Sequence, residues 1–213
     1  FDCNLGPEVY SFHLLEELIK AAEHEGVSNF PIHIKIDTGM HRLGFLPEEI
    51  PHLIDRLHRQ SAVIPRSVFS HLVGSDAERF DSFTRRQIET FEQASTALQE
   101  GFRHKILRHI CNTAGIERYP GAQFDMVRLG IGLYGIDPFT NKVLHNISTL
   151  KTTILQIHDV PSDETVGYSR KGILQRDSRI AAIPIGYADG LNRHLGNGHG
   201  YCLVNGQKAP YVG

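Results

Sequence analysis

The 213-residue sequence contains no tryptophan, two methionines and three cysteines. Cys3, Cys111 and Cys202 are odd in number and widely spaced, and no two of them form a CxxC pair. A disulfide framework and a structural zinc site are therefore not expected. This cysteine usage is typical of a reducing compartment, and it predicts a cytoplasmic protein.

The sequence also has no excess of one charge and no long apolar run. It holds 22 basic and 24 acidic residues without a block of like charge, so we expect neither a nucleic-acid partner nor a membrane-surface partner. No apolar run reaches the roughly 18 residues of a membrane-spanning helix, and no signal-peptide pattern is visible. The 13 histidines are scattered without ligand spacing, and no metal site is predicted.

What the sequence does contain is a globular composition with alternating helix-like and strand-like segments. It is 40% hydrophobic and 22% charged. Strands separated by helices favour parallel βαβ units. The patterns predict helices over 12–25 and 82–99, a further helix opening at Pro47, and strands over 32–36, 67–71, 105–111 and 125–128.

The pattern changes near residue 145, where helix-like segments end. We therefore predict an α/β domain over residues 1–145 and a β domain over 146–213. A complete (β/α)8 barrel takes roughly 250 residues, so the first domain is either a small open sheet or the later part of a barrel. The predicted strands of the β domain are 149–160, 179–184, 201–204 and 208–212, with a hairpin turn at Asn205 and Gly206.

Polar groups follow four successive predicted strands of the first domain. Lys35 alternates with apolar residues and points inward if they face the helices, and Arg42 lies in the loop that follows. His71, Thr113 and Arg128 stand at the ends of the next strands or just beyond them. Each residue taken alone has an ordinary explanation. The loop of Arg42 is also consistent with a capping loop that carries a surface arginine, and His71 with a satisfied core histidine. Four such positions at one edge favour a site.

Backbone amides and two tyrosines add to these candidates. Free N–H groups at Gly130 and Ile131, with the Thr113 hydroxyl, are suited to hold a phosphate. In the β domain, Tyr168 and Tyr187 each follow a glycine. A tyrosine acts as an acid or base if a neighbouring cation lowers its pKa, although an ordinary turn tyrosine gives the same pattern.

Taken together, these segments resemble the bacterial alanine racemases, pyridoxal-phosphate (PLP) enzymes of fold type III. The resemblance implies a later part of a (β/α)8 barrel that binds PLP, a truncated C-terminal all-β domain, and isomerase activity on L- and D-alanine. It also implies a homodimer with shared active sites that supplies D-alanine for peptidoglycan. The segments that carry it are 35–44, 70–71 with 75–76, 112–114, 126–135, 166–169, 185–190 and 206–210.

The resemblance assigns roles to residues that bind substrate and cofactor. Arg42 is implied to bind the substrate carboxylate, held by a Lys35 that is often N-carboxylated in the family, and Tyr187 is implied to narrow the entry. Thr113 stands where the family usually has serine. With Gly130 and Ile131 it is implied to bind the cofactor phosphate.

The resemblance also implies how protons move. Tyr168 matches one of the two catalytic bases, which reaches into the partner subunit's site. His71 is implied to hydrogen-bond Tyr168, and Arg128 to hydrogen-bond His71 and to face the pyridine nitrogen of PLP.

The second base of the family, the lysine that holds PLP covalently, has no match among the seven lysines of this sequence. We therefore expect the isolated chain to be inactive.

Residues 30–45 resemble racemases of the Bacteroidetes group that are fused behind a muramoyl-tripeptide:D-alanyl-D-alanine ligase. Two other functions stay open: a non-catalytic PLP-binding barrel protein, and a fold type III amino-acid decarboxylase, which places an acid where this sequence has Arg128.

Overall fold

A computed structural model describes residues 1–3, 5–140 and 142–213. The chain divides into two compact units, Phe1–Ser148 and Thr149–Gly213, and each has its own sheets. Within the described ranges, no helix combines the length and the apolar character needed to cross a membrane.

The first unit is a parallel sheet whose strands alternate with helices. Its four strands are hydrogen-bonded in chain order, and every pairing is parallel. A parallel strand followed by a covering helix is the repeating unit of α/β barrels. The elements are β1 (Glu8–Val9), α1 (Phe12–His24), β2 (Phe30–Lys35), α2 (Ile50–His58), β3 (Val63–Phe69), α3 (Asp81–Glu100), β4 (Leu107–His109) and α4 (Thr113–Arg118).

The core of this unit lies between the sheet and its helices. Alternate residues of β2, Ile32 and Ile34, are fully buried. They meet the apolar stripes of the helices, which include Leu15 of α1 and Phe91 of α3. Burying one such side chain contributes about 1.5–3 kcal/mol. The same alternation turns His33 and Lys35 toward the opposite face of the sheet.

The local signals that predict α1 are confirmed at both of its ends. The Ser11 hydroxyl accepts a hydrogen bond from the Leu14 amide at 3.3 Å, as an N-cap does. After the helix, Gly26 adopts φ 66°, the left-handed conformation that follows many helices.

The predicted strand over 125–128 is wrong. This segment lies beside β4 and the residues just after it, but only two backbone hydrogen bonds join them: Asp125 N donates to Arg108 O, and Arg128 N donates to Cys111 O. Those bonds are three residues apart, whereas a regular parallel strand bonds every second residue. The segment therefore runs along β4 without forming a ladder.

The second unit consists of antiparallel strand pairs. Asn205 and Gly206 both have positive φ angles, 50° and 79°, which confirms the predicted hairpin turn. The predicted strand over 149–160 is only partly correct, because pairing begins at Gln156. The strands are β5 (Gln156–Val160), β6 (Thr165–Val166), β7 (Gly172–Ile173), β8 (Ser178–Ala182), β9 (Tyr201–Val204) and β10 (Gln207–Pro210), paired as β5–β8, β6–β7 and β9–β10.

Candidate active site

A cavity of about 320 Å³ lies where the strands of the first unit end. Four of the predicted site residues line it: His71, Thr113, Gly130 and Ile131. This volume is in the range of small-molecule sites, and the carboxyl ends of parallel strands are where such sites form in α/β barrels. The other lining residues are Met40, Leu72, Val73, Asp76, Asn112, Ala114 and Pro138.

A second cavity, of about 410 Å³, lies on the outer face of α3 and carries no predicted site residue. Its lining comes from that one helix: Glu89, Glu92, Gln93, Thr96, Ala97 and Glu100. A surface formed by one helix encloses no ligand, so the cavity at the strand ends is the candidate site.

The Arg128 guanidinium is held by uncharged acceptors. It donates to His109 Nδ1 at 2.5 Å and to the carbonyl oxygen of Ser70 at 2.6 Å. The resemblance implies a hydrogen bond to His71, but within the described ranges the guanidinium bonds His109 and main-chain carbonyls instead. The reason is position: His109 lies at the end of β4, beside the segment that carries Arg128.

His71 lies among positive charges. Burial lowers the pKa of its imidazole, and the charges of Arg128, Arg42 and Lys35 lower it further. His71 is therefore neutral at pH 7 and has a ring nitrogen free to accept a proton or a hydrogen bond. The same three cations make the region attractive to a carboxylate or a phosphate.

Thr113 and the loop after Arg128 converge on one point. Thr113 Oγ1 accepts hydrogen bonds from the amides of Gly130 at 3.0 Å and Gly132 at 3.2 Å. The amide of Gly130 is thus not free, contrary to the sequence-based expectation. A Cβ atom on Gly132 would lie 2.7 Å from Thr113 Cγ2, so only glycine allows this approach. Amides aimed at one oxygen are the arrangement that binds phosphate oxygens.

Arg42 is carried by a loop that one carboxylate organises. Asp37 Oδ1 accepts from the amides of Gly39, Met40 and His41 at 2.8, 2.9 and 3.1 Å. Burial opposes ionisation of Asp37, but these backbone hydrogen bonds outweigh it and hold the pKa of the carboxyl below its usual value. Arg42 follows as an exposed side chain.

Lys35 is buried and its ammonium pairs with Glu8. Its Nζ lies 2.8 Å from Glu8 Oε1 and 5.4 Å from the centre of the Phe69 ring. The resemblance implies instead a carboxylated Lys35 that holds Arg42. In this structure the negative charge next to Lys35 is that of Glu8, a residue of β1 whose register partner on β2 is His33.

Tyr168 and Tyr187 belong to the second unit, where both are exposed. Tyr168 is 89% exposed and follows Gly167, whose φ is 80°. Ser169 and Arg170 also have positive φ angles, 57° and 56°. Consecutive residues in this sparsely populated region cost about 1–3 kcal/mol each, and such strain is concentrated at functional sites.

Four polar residues of the first unit were not predicted from the sequence: Glu8, Ser67, Gln87 and His109. Gln87 occupies the buried stripe of α3, four residues before Phe91, and a polar residue in an apolar stripe is a detectable signal. Ser67 and His109 are also buried polar residues on strands. Their importance depends on cross-strand contacts, which one strand's pattern does not reveal.

Two family profiles match this chain over almost its whole length. The profile described as alanine racemase, N-terminal domain, matches residues 2–138, and the profile of the C-terminal domain matches residues 147–213. An alanine racemase of Prochlorococcus marinus is 40% identical over 86% of this chain and 49% of its own length. One from Aeromonas hydrophila is 38% identical over 99% of this chain and 57% of its own length.

Solved structures show the same similarity. The alanine racemase of Bacillus anthracis with bound L-Ala-P matches 97% of this chain and 54% of its own, with a TM-score of 0.71 and 29% identity. The Bartonella henselae alanine racemase with covalently bound pyridoxal phosphate matches 98% and 56%, with a TM-score of 0.64 and 30% identity. These neighbours confirm the predicted fold class, part of an α/β barrel followed by an antiparallel β domain. The chain spans about half the length of its relatives, 49% and 57% of the two above. It belongs to the alanine racemase family.

Proposed function

We propose that the protein containing this sequence interconverts L- and D-alanine with PLP as its cofactor, and that this chain contributes most of the residues around the reacting centre. The observation that carries the proposal is the cavity at the strand ends. There His71, Thr113, Gly130 and Ile131 of a racemase-family chain meet, and the charges of Arg128, Arg42 and Lys35 act on His71.

The residues of the first unit fit PLP. The amides of Gly130 and Gly132 donate to Thr113 Oγ1, and a phosphate oxygen would take the place of this hydroxyl as their acceptor. Arg128 is a fixed donor held by neutral acceptors, which suits it to face a pyridine nitrogen without transferring a proton to it. When bound, this cofactor stabilises the negative charge that proton removal leaves on the substrate's Cα.

The remaining residues bind alanine and move its proton. Arg42 binds the substrate carboxylate. Tyr168 is one base, and Tyr187 narrows the entry. Racemisation needs a second base on the opposite face of Cα, the role of the family's cofactor-binding lysine, and none of the seven lysines here has its sequence context.

The isolated 213-residue chain is therefore proposed to be inactive and to form no specific covalent bond to PLP. Borohydride reduction of a PLP-treated sample followed by peptide mass spectrometry tests this. We expect scattered, substoichiometric labelling of surface lysines. One stoichiometric pyridoxyl-lysine would contradict the proposal.

The full-length protein tests the activity and separates it from the alternatives. We expect it to racemise alanine, whereas a carrier would bind PLP without turnover and a decarboxylase would release carbon dioxide. Arg128→Glu places an acid beside the cofactor and is expected to increase transamination relative to racemisation. An unchanged ratio of the two reactions would count against this role for Arg128.

The same proposal covers the biological setting. A homodimer with shared sites would let Tyr168 act in the partner subunit's site, and the product D-alanine would supply peptidoglycan synthesis in the cytoplasm. The likeness of residues 30–45 to ligase-fused racemases of the Bacteroidetes group supports a ligase domain upstream. Sequencing the gene upstream of Phe1 tests whether the cofactor lysine and the ligase domain are encoded there. A cofactor-lysine motif is expected roughly one hundred residues away, with the ligase before it.

A further inference from the structure

A series of buried hydrogen bonds leads from Arg128 away from the cavity. The guanidinium donates to His109 Nδ1 at 2.5 Å, and His109 Nε2 lies 3.2 Å from Ser67 Oγ. Ser67 Oγ in turn lies 2.7 Å from His33 Nδ1. His33, Ser67 and His109 lie on the adjacent strands β2, β3 and β4, and His33 is the register partner of Ser67. None of these three residues has a role in the proposed reaction.

The charge of Arg128 determines which nitrogen of His109 carries the proton. Arginine donates and never accepts, so His109 Nδ1 must be the unprotonated, accepting nitrogen. A neutral His109 then carries its proton on Nε2 and donates it to Ser67 Oγ. Ser67 Oγ, which accepts this proton, also lies within hydrogen-bonding distance of His33 Nδ1, at 2.7 Å.

Burial supports this neutral arrangement. The pKa of His109 falls to about 4, because of burial first and then the charges of Arg128 and His33. The pKa of His33 is also lowered, by burial and by the charge of Arg66. Neither imidazole is therefore expected to be charged at pH 7, and each has one donor and one acceptor nitrogen.

The packing around Arg128 leaves its orientation dependent on these contacts. Among the described residues its hydrogen-bond partners are His109 Nδ1 and the carbonyl oxygens of Ser70, His109 and Ile110, with no carboxylate. The Phe69 ring stacks on His109 with centroids 5.0 Å apart, and Arg128 Cζ lies 5.1 Å from the same ring. Because these acceptors are neutral, the orientation of the guanidinium depends on how well each of them is fixed in place.

We propose that Ser67 and His33 are positioning residues for Arg128. Ser67 Oγ accepts from Nε2–H of His109 and so stabilises the tautomer that presents the Nδ1 lone pair to the guanidinium, while His33 holds the Ser67 hydroxyl in place. This inference rests on the proposed function, which assigns Arg128 to the cofactor's pyridine nitrogen. Without the Ser67 hydroxyl, the buried Nε2–H of His109 has lost its acceptor, and this unpaired donor weakens the tautomer on which the Arg128 contact depends.

Long-range ¹H–¹⁵N NMR of the full-length protein, labelled at histidine, tests the tautomers directly. We expect a pyridine-type Nδ1 and a pyrrole-type Nε2 for His109, assigned by their loss in His109→Gln. Ser67→Ala is expected to give a mixture of tautomers. Ser61→Ala, an exposed serine just before the same strand, is the matched control and should leave the spectrum unchanged.

A protonated Nδ1 on His109 in the unsubstituted protein would overturn the inference, and this result needs no variant to fold. An unchanged tautomer in a folded Ser67→Ala protein would overturn it as well. The kinetic readout is a fall of about tenfold in kcat with KM for alanine changed less than about twofold, since Arg128 does not bind the substrate. Absence of racemisation by the unsubstituted protein would refute the proposed function instead, while the NMR result would still decide the tautomers.

Discussion

At the scale of single residues, His109 makes stability depend on pH. Its pKa of about 4 in the folded protein lies below the roughly 6.5 of an unfolded histidine. The unfolded state therefore binds more protons between these values, and stability is lost as the pH falls from about 6.5 toward 4. The loss at the acid end is about 3 kcal/mol from this residue.

Urea unfolding of the full-length protein between pH 4 and 7 measures this loss. His109→Gln is expected to flatten the pH dependence, because the amide has no proton to bind in this range. His24→Gln, at an exposed position at the end of α1, is the control and should retain the slope. A slope that His109→Gln leaves intact would assign the effect to other groups.

Tyr168 also carries a prediction of its own. Its hydroxyl is the proposed base, and the turn around it has three residues with positive φ: Gly167, Ser169 and Arg170. Tyr168→Phe removes the base and retains the ring, so turnover in the full-length protein should fall by at least about 10²-fold with little change in stability. Tyr201→Phe, on β9, is the matched control and should retain activity. Full activity of Tyr168→Phe would remove this residue from the mechanism.

The sequence predicts site residues well where the signal is local and poorly where it crosses strands. Thr113, Gly130 and His71 stand at strand ends, and the structure gathers them around one cavity. The sequence does not reveal that Lys35 pairs with Glu8, and the expected bond of Arg128 to His71 is replaced by one to His109. Glu8 and His109 are 27 and 19 residues away from Lys35 and Arg128, and only the tertiary fold brings each pair together.

Among the elements, α3 fixes the relative positions of two site loops through one buried side chain. Gln87 Nε2 donates to Thr38 Oγ1 at 3.3 Å and to the His71 carbonyl at 3.2 Å. Its Oε1 accepts from the Val73 amide at 3.1 Å. The glutamine thereby joins the loop of Arg42 to the loop of His71.

Gln87→Leu, similar in size but without these hydrogen bonds, should lower the free energy of unfolding by about 1–3 kcal/mol, because it leaves buried polar groups unpaired. In the full-length protein it should also raise KM for alanine, since the loop of Arg42 loses an anchor. Gln93→Leu, exposed on the same helix, is the control for both measurements. An unchanged KM would show that the Arg42 loop holds its position without Gln87.

The elements also show what local pattern can predict. Helix α1 was predicted well because its cap, its apolar stripe and its terminating glycine lie within one segment. The strand over 125–128 was predicted from its own residues, yet a strand is defined by bonds to neighbours, and this segment makes too few of them. Sheet membership is therefore the part of the fold that a single segment's sequence determines least.

In the molecule as a whole, the first unit exposes an apolar stretch beyond β4. Leu129, Ile131 and Leu133 are 47, 46 and 41% exposed. Adjacent exposed apolar side chains promote association. Light scattering of the isolated chain over a dilution series should therefore show concentration-dependent association.

The double substitution Leu129→Asp with Leu133→Asp should reduce this association. Leu5→Asp, at an exposed leucine elsewhere in the sequence, should not. A stable monomer at every concentration would contradict the expectation.

Deuterium exchange at alanine Cα follows the proposed chemistry most closely. The full-length protein, loaded with PLP and given L-alanine in ²H₂O, is expected to replace the Cα proton with deuterium and to produce equal amounts of both enantiomers. ¹H NMR and chiral chromatography report the two outcomes separately. If L-alanine keeps its proton and its configuration while PLP is bound, the proposed function is wrong.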